Sequence, residues 1–252
     1  MARSYSDAGV RAPDEMPAFD SMLGLLRRTF SYPSSGRPAL DFGYYANVLD
    51  LGNNLGLAIS TDGVGTKLLV AEEMGKYDTV GIDCIAMNVN DIVCVGAEPL
   101  ALVDYIAVQT AGTSQMLEIA KGLEEGARRS HISIPGGEIA QVPDMLKGIR
   151  EGEAFDLVGT CVGTVAMDSI VDGGRIQGGD ALIGFASSGL HSNGYTLARR
   201  VFREDAGWAL DQHIEDFGRT LGEELIEPTM LYVDLAMGLL EAADVRGLAH
   251  IT

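Results

Sequence analysis

The chain has no long apolar run and no excess of positive charge, and each absence excludes a class of protein. No run approaches the ~20 apolar residues of a transmembrane helix. Met1 to Glu15 is polar and of mixed charge, without the apolar centre of a signal peptide. The formal net charge of −18 argues against a nucleic-acid backbone or an anionic membrane as partner. We therefore expect neither kind of partner.

Cysteine and lysine are also scarce. The three cysteines, Cys84, Cys94 and Cys161, lie in apolar surroundings and form no metal-type spacing. This pattern predicts reduced core residues of a cytoplasmic protein. Only four lysines occur, and one of them, Lys67, lies in the polar motif described next. Because lysine is so scarce, the position of Lys67 in this motif slightly favours a functional role for the motif.

That motif runs from Ser60 to Lys67 and follows a predicted strand. Leu55, Leu57 and Ile59 alternate as a half-buried strand requires. The chain then enters an acid, two glycines, two threonines and a lysine, a composition that suits phosphates and Mg²⁺. The Walker A spacing is not met, because the two glycines are too close together. A nucleotide loop and a plain polar turn both remain open.

Four acids, Asp62, Asp91, Asp104 and Glu138, lie at or near the ends of predicted elements or against an apolar pattern. Asp91 falls on an apolar stripe of a predicted helix, where an unpaired carboxylate is costly. Each acid alone fits a helix cap or a solvated turn. Together they could converge on one metal cluster.

A second polar loop, Ser187 to Gly194, joins a predicted buried strand, Ala181 to Ala186, to a predicted helix, Tyr195 to Arg203. Hydroxyls, backbone N–H groups and a helix N-terminus together form an anion site. His191 suits phosphate binding or general acid–base work. A histidine packed against the start of the next helix is the alternative.

Alternating strands and helices indicate an α/β (α+β) protein. We place the domain boundary before two mid-chain glycine pairs, which gives domains 1–166 and 167–252. Residues 1 to about 50 look irregular, apart from a helix at Met22 to Phe30. The other predicted helices are Lys67 to Met74, Thr79 to Val95, Ser114 to Arg129 and Thr229 to Ala242. The other predicted strands are Leu100 to Val108, Ile132 to Ile134, Phe155 to Ala166 and the end of the chain, Gly247 to Thr252.

These ordered motifs resemble those of the phosphoribosylformylglycinamidine cyclo-ligases, or aminoimidazole ribonucleotide synthetases, of purine biosynthesis. The resemblance implies an N-terminal domain that dimerises through its sheet, giving a homodimer, and a C-terminal α/β domain. It covers nearly the whole chain and is carried by Ser4 to Val10, Thr61 to Lys67, Met87 to Asp91, Gly96 to Pro99, Gly136 to Glu138 and Ser187 to Gly194.

The resemblance also implies ATP, Mg²⁺ and formylglycinamidine ribonucleotide as ligands. It implies a metal at Asp62, Asp91 and Glu138, and catalytic roles for His191 and Lys67. The nucleotide would contact these acids and Lys67 together with Gly63, Gly65, Thr66, Asn90, Gly136 and Gly137. The substrate would contact Ser188, Gly189, His191, Ser192 and Asn193.

The chain departs from this family in two places. Ile139 and Gln141 stand where the family usually has a threonine and a glutamate. Family members also continue past His250 to Thr252 into a glycine-rich loop and further elements. We therefore expect an incomplete C-terminal domain, an inactive or nearly inactive form, and aggregation through Leu248 and Ile251.

Two alternatives remain. One is another enzyme of the same superfamily: a thiamine-monophosphate kinase, a selenide water dikinase or a formylglycinamidine ribonucleotide synthetase. The kinase would lack the loop from Ser188 to Gly194. The dikinase usually has a reactive cysteine or selenocysteine near its N-terminus, whereas none precedes Cys84 here. The other alternative is an inactive module that dimerises or binds nucleotide.

Overall fold

A computed structural model describes residues 4–11, 16 and 18–251, with only the backbone of Thr113. It is a mixed α/β structure, as the sequence predicts. The strands are β1 Arg37–Pro38, β2 Asn47–Asp50, β3 Leu55–Gly63, β4 Glu98–Val108, β5 Ser133–Gln141, β6 Phe155–Ala166, β7 His213–Ile214 and β8 Arg219–Thr220. The helices are α1 Phe19–Arg28, α2 Lys67–Met74, α3 Val80–Cys94, α4 Thr113–Arg129, α5 Tyr195–Arg199, α6 Leu221–Leu225 and α7 Val233–Ala242.

Six strands form one mixed sheet in the order β1-β2-β3-β6-β4-β5. The strand β6 pairs antiparallel with both of its neighbours, so β3 and β4 run in the same direction, and β5 runs parallel to β4. The carboxyl ends of β3, β4 and β5 therefore share one edge of the sheet.

The motif after Ile59 continues the strand, where the sequence predicts a turn. Thr61, Asp62 and Gly63 pair in register with residues 158–160 of β6. Their backbone N–H and C=O groups gain ladder partners there, which outweighs the weak strand propensity of glycine and aspartate. The turn falls two residues later, at Gly65, whose φ of 71° suits glycine.

The helix α3 is the centre of the core. The apolar stripe that the sequence predicts is buried, as are the other sides of the helix, and within the helix only Asp91 is not fully buried. A helix that is apolar on all sides must be covered on all sides. Here α3 packs on β3 and β6 with one side, and on α4 and α7 with the other.

Close backbone contact between α3 and α4 depends on glycine. A Cβ atom on Gly81 would overlap backbone atoms of residues 119–123, and one on Gly122 would overlap the carbonyl oxygen of Asp78. The two helices therefore approach each other more closely than any larger residue at these positions allows.

Two strands that the sequence predicts after residue 166 are absent. Residues 181–186 and 247–251 form no regular structure, and Thr252 lies outside the described residues. Leu182 is 101% exposed and Ile183 is 66% exposed. An apolar run predicts burial only where a partner strand covers it, and no strand of the described residues pairs with either segment.

Smaller differences concern element ends and short elements. Two short strands at the sheet edge, β1 at Arg37–Pro38 and β2 at Asn47–Asp50, fall in a part of the sequence that looks irregular. After Arg199 the helix α5 widens into a π-helix at Arg200–Asp205. The helix α6 was not predicted, although it has a capping box between Thr220 and Glu223.

The cysteines and the apolar character of the helices can be compared with what the composition predicts. All three cysteines are buried as free thiols, and burial raises the pKa of Cys94 and Cys161 to about 12. No helix within residues 18–251 has the length and apolar character to cross a membrane.

Candidate functional site

The two polar loops meet in the structure. Thr66, at the start of α2, lies 3.1 Å from Thr196 of α5, hydroxyl to hydroxyl. The Lys67 ammonium donates to the backbone carbonyl of His191 at 2.9 Å. Residues 130 and 124 positions apart in the sequence are thus in contact. At this place the carboxyl end of β3 faces the loop 187–194.

Asp62 is held in place through its backbone. Its N–H donates to the Asn88 side chain of α3 at 3.0 Å, and the Asn88 amide donates back to the Asp62 carbonyl. The Asp62 carboxylate accepts from the Gly63 N–H at 2.7 Å. This double contact fixes the end of β3 on α3, and Asn88 is a positioning residue that the sequence reading missed.

Asp91 has the partner that its place on an apolar helix face requires. Its Oδ1 lies 3.0 Å from Nδ1 of His250, and its Oδ2 accepts from the Ser60 hydroxyl at 3.4 Å. His250 is buried, and no described group bonds its Nε2. The pairing of Asp91 with His250 was not predicted from the residues.

The Asp62 and Asp91 carboxylates repel each other. Burial raises the pKa of Asp62 above its usual value, and the Asp91 charge raises it further. Ser60 and Asp62 lie on the same face of β3, so Asp91 faces both. Carboxylate oxygens are ligands that Mg²⁺ prefers, and a bound cation would remove this repulsion.

Glu138 does not join these two acids within one chain. It pairs with Tyr105 in the β4–β5 register and shares its side of the sheet, opposite to the side of Asp62. Three strand spacings, roughly 14 Å, also separate β5 from β3. Among the described residues, no three His, Cys, Asp or Glu side chains are placed to hold a metal ion. The expected three-acid cluster is therefore not formed in the single chain.

The glycine pair before Glu138 lies in β5 and not in a loop. Asp104 of β4 packs its carboxylate over Gly137, where a Cβ would overlap it. Gly136 has open space around its Cα. Burial raises the pKa of Asp104. One structural reason for Gly137 is therefore to make room for this carboxylate.

The Lys67 side chain points into the protein, where its ammonium has internal acceptors. Its side chain is fully buried, and its ammonium donates to Asp83 Oδ1 at 2.9 Å, to the His191 carbonyl at 2.9 Å and to the Glu227 carbonyl at 2.5 Å. An ammonium has three donors, and all three are used. Burial lowers the pKa of Lys67, which the Asp83 charge opposes.

His191 is buried and has a left-handed backbone, with a φ of 59°. Its Nε2 accepts from the Ser188 N–H at 3.3 Å, which places the ring proton on Nδ1. The ring lies 6.1 Å from Tyr232 and 6.5 Å from His250, centroid to centroid. Its pKa is lowered by burial first, then by the charges of His250 and Lys67.

Other loop residues face the segment 228–229. The Ser188 hydroxyl donates to the Pro228 carbonyl at 2.7 Å, and the Ser192 hydroxyl lies 3.1 Å from that of Thr229. Gly189 is partly buried and Asn193 is exposed. Of the predicted substrate residues, the two serines are thus engaged inside the protein.

Asn90 is engaged by backbone as well. Its amide donates to the Met230 carbonyl, and its oxygen accepts from the Tyr232 N–H at 3.0 Å. It is 2% exposed, so it holds the start of α7 and does not face solvent.

The buried charge pair Lys67–Asp83 was missed by sequence reasoning. Asp83 Oδ1 also accepts from the N–H and the hydroxyl of Thr229, each at 2.7 Å. Asp83 lies on the same apolar helix as Asp91. The same sequence signal, an acid in an otherwise apolar helix, could therefore have identified Asp83.

The lowered pKa of His191 predicts a pH effect on stability. The unfolded chain takes up a proton near pH 6.5, and the folded chain does so only at lower pH. The contribution of His191 is therefore complete above pH 6.5 and is lost as the pH falls below it. Urea unfolding at pH 7.5 and 5.5 measures this loss of stability. Asparagine tolerates the left-handed backbone, so His191→Asn should lose less stability between the two pH values than the wild type. His213→Asn is a surface control, and an equal loss in the wild type and His191→Asn contradicts the prediction.

Comparison with known proteins places this chain in a family. The model for the AIR synthase related protein N-terminal domain matches residues 43–165, and that for the C-terminal domain matches residues 177–252. Thiamine-monophosphate kinases from Aquifex aeolicus and Stenotrophomonas maltophilia share the fold at TM-scores of 0.57 and 0.55, with 16% and 19% identity. They match over 92% and 90% of this chain and 66% and 65% of their own. The two family-model matches, which together cover most of the chain, define an AIR synthase related protein.

Curated relatives give the finer assignment. The chain is 49% identical to the phosphoribosylformylglycinamidine cyclo-ligase of Methanobrevibacter smithii and 43% identical to that of Methanosarcina mazei. Each match covers 99% of this chain, and 71% and 72% of the relatives. The chain belongs to the phosphoribosylformylglycinamidine cyclo-ligase family.

Proposed function

We propose that this chain carries the site for the ATP-dependent ring closure of formylglycinamidine ribonucleotide to aminoimidazole ribonucleotide, with ADP and phosphate as the other products. The observation that carries the proposal is family membership across 99% of the chain. The meeting of the two polar loops adds a place where two ligands could lie together. We also propose that the chain divides into domains after Ala166, where β6 ends.

The reaction has two steps. The amide oxygen of the substrate attacks the γ-phosphorus of ATP, and the bond from that phosphorus to the ADP oxygen breaks. The amidine-side nitrogen then attacks the activated amide carbon and loses a proton, and phosphate leaves with its oxygen. Both steps need alignment and charge neutralisation more than covalent help from the protein.

The residues divide between the two ligands. Gly65 and Thr66 offer backbone N–H groups at the start of α2 to the phosphates. Loop 187–194 with His191 faces the ribonucleotide. The neutral imidazole of His191 has its proton on Nδ1 and can donate it to a phosphate or amide oxygen.

Asp62 and Asp91 would hold Mg²⁺ through their carboxylate oxygens. Their mutual repulsion and their oxygen chemistry fit this ion. When bound, Mg²⁺ neutralises phosphate charge and acts as a template. Glu138 could add a ligand only from another chain, because it lies on the other face of the sheet.

Calorimetry tests the function. Titrations with Mg²⁺ and a non-hydrolysable ATP analogue are followed by formylglycinamidine ribonucleotide or thiamine monophosphate. We expect the ribonucleotide to bind, and thiamine monophosphate not to bind. Binding of thiamine monophosphate alone supports the kinase alternative. Binding of nucleotide without either second ligand supports an inactive module.

We propose that a second copy of this chain covers the open face of the sheet. This face is opposite to α3, and its apolar side chains are 37–45% exposed at five positions: Leu55, Ile59, Leu100, Val103 and Tyr105. These five residues lie on β3 and β4, the two strands that flank β6. A patch of exposed apolar side chains on one face of a sheet is typical of an association surface.

The dimer has a direct test. Val103→Lys places a charge in the middle of this face and should convert the dimer to a monomer, because burying an unpaired ammonium is costly. Leu117→Lys is the matched control, since Leu117 is 59% exposed on α4, away from the sheet face. Light scattering after gel filtration measures the mass. A wild-type monomer at micromolar concentration, or a dimer that survives Val103→Lys, contradicts the proposal.

A further inference from the structure

We propose that Lys67 is a positioning residue that holds His191 from inside the protein, and that it does not bind phosphate. The loop that Lys67 would hold is the one to which the proposed function assigns the ribonucleotide. Only this assignment of the ligand rests on the proposed function.

The first observation is the burial of the ammonium. Lys67 and Asp83 both have fully buried side chains. The three Lys67 donors reach Asp83 and two backbone carbonyls that lie 124 and 160 residues further along the chain. A phosphate ligand would need at least one free N–H, and the structure uses all three.

The second observation is the strained residue that receives one of these bonds. His191 has a left-handed backbone, which side chains other than glycine rarely adopt. Such a conformation persists only where surrounding contacts determine it. The carbonyl of His191 accepts from Lys67, and its ring accepts from Ser188, so this residue is fixed from two sides.

The third observation links the rest of the loop to the same charge pair. Asp83 accepts from Thr229, whose hydroxyl lies 3.1 Å from that of Ser192, the residue after His191. The ion pair thus contacts the loop directly at His191 and, through Thr229, at Ser192. The orientation of the His191 ring follows from contacts that begin inside α2 and α3.

Chemical footprinting of the wild-type protein separates the two roles. Acetic anhydride is applied with and without Mg²⁺ and an ATP analogue, and the four lysines are read by mass spectrometry. A positioning role predicts that Lys67 stays unmodified in both samples while the exposed Lys76, Lys121 and Lys147 are modified. Modification of Lys67 without nucleotide and protection with it overturns the proposal, whatever the variants below do.

Nuclear magnetic resonance of the unliganded protein, labelled with ¹⁵N-histidine, tests the positioning itself. Asp83→Asn keeps the bond from Lys67 to the His191 carbonyl and should keep the Nδ1–H tautomer of His191. The double variant Lys67→Met with Asp83→Asn removes this bond without leaving a buried charge, and should lose the single tautomer. Retention of the wild-type tautomer in the double variant overturns the proposal.

Binding gives the functional arm. In the double variant, affinity for formylglycinamidine ribonucleotide should fall by about tenfold or more, and affinity for the Mg²⁺–ATP analogue by less than about twofold. Lys76→Met is the control and should change neither. The opposite pattern overturns the proposal. A wild type that binds neither ligand contradicts the proposed function, whereas footprinting and tautomer still decide the role of Lys67.

Discussion

Lys67→Met should destabilise the fold by about 3–5 kcal/mol, because it leaves the fully buried Asp83 carboxylate without its cation. The loss should shrink as the pH falls. Burial raises the pKa of Asp83, so a proton can neutralise it once Lys67 is gone. Urea unfolding at several pH values measures both effects.

The matched double variant isolates the pair. Lys67→Met with Asp83→Asn leaves no buried charge, so the double variant should be more stable than the sum of the single losses predicts, by about 1–3 kcal/mol. Additive losses would mean that the two side chains do not act on each other, which contradicts the ion pair.

Gly81→Ala should destabilise the protein by about 1–3 kcal/mol, because its methyl group overlaps the backbone of α4 and forces the two helices apart. Gly238→Ala is the opposite case. Gly238 lies inside α7 with nothing within 4 Å of an added Cβ. Alanine there should stabilise the helix by about 0.5–1 kcal/mol.

Thermal or urea unfolding of both glycine variants gives the comparison. The two substitutions are chemically identical and both lie in helices. If the change in the free energy of unfolding has opposite signs at the two positions, the cause is contact between helices and not helix propensity. A Gly81→Ala protein as stable as the wild type would falsify the close packing of α3 on α4.

Periodicity predicted most of the first half of the fold. The alternation at Leu55, Leu57 and Ile59 identified β3, and the bounds of α2 and β6 agree with the predicted ones. The extension of β3 through Asp62 and Gly63 was not predictable from local propensity. It depends on pairing with β6, about a hundred residues later in the chain.

The second half was predicted less well for a similar reason. Ala181 to Ala186 has the apolar composition of a buried strand but is exposed, because burial depends on partners and not on composition. The left-handed backbone of His191 has only a weak local signal, because histidine is enriched in this region but most histidines do not adopt it.

The candidate site shows what a single position can reveal. An acid on an apolar helix face predicts a partner, and Asp91 has one. That partner, His250, lies 159 residues further along the chain, so it could be identified only from the fold. For Lys67, motif chemistry indicated phosphate, and only the structure showed three internal acceptors.

The central claim is that Asp62 and Asp91 form the Mg²⁺–ATP site, and Asp91→Asn tests it most directly. Asparagine keeps an oxygen for His250 and removes the charge that repels Asp62. Thermal midpoints are measured with and without Mg²⁺ and the ATP analogue, with Asp104→Asn as the control on the same face of the sheet. The account predicts an unchanged or higher midpoint without ligand for Asp91→Asn and a much smaller ligand-induced rise, while Asp104→Asn keeps the full rise. An Asp91→Asn protein that melts earlier and keeps the full rise would contradict the account.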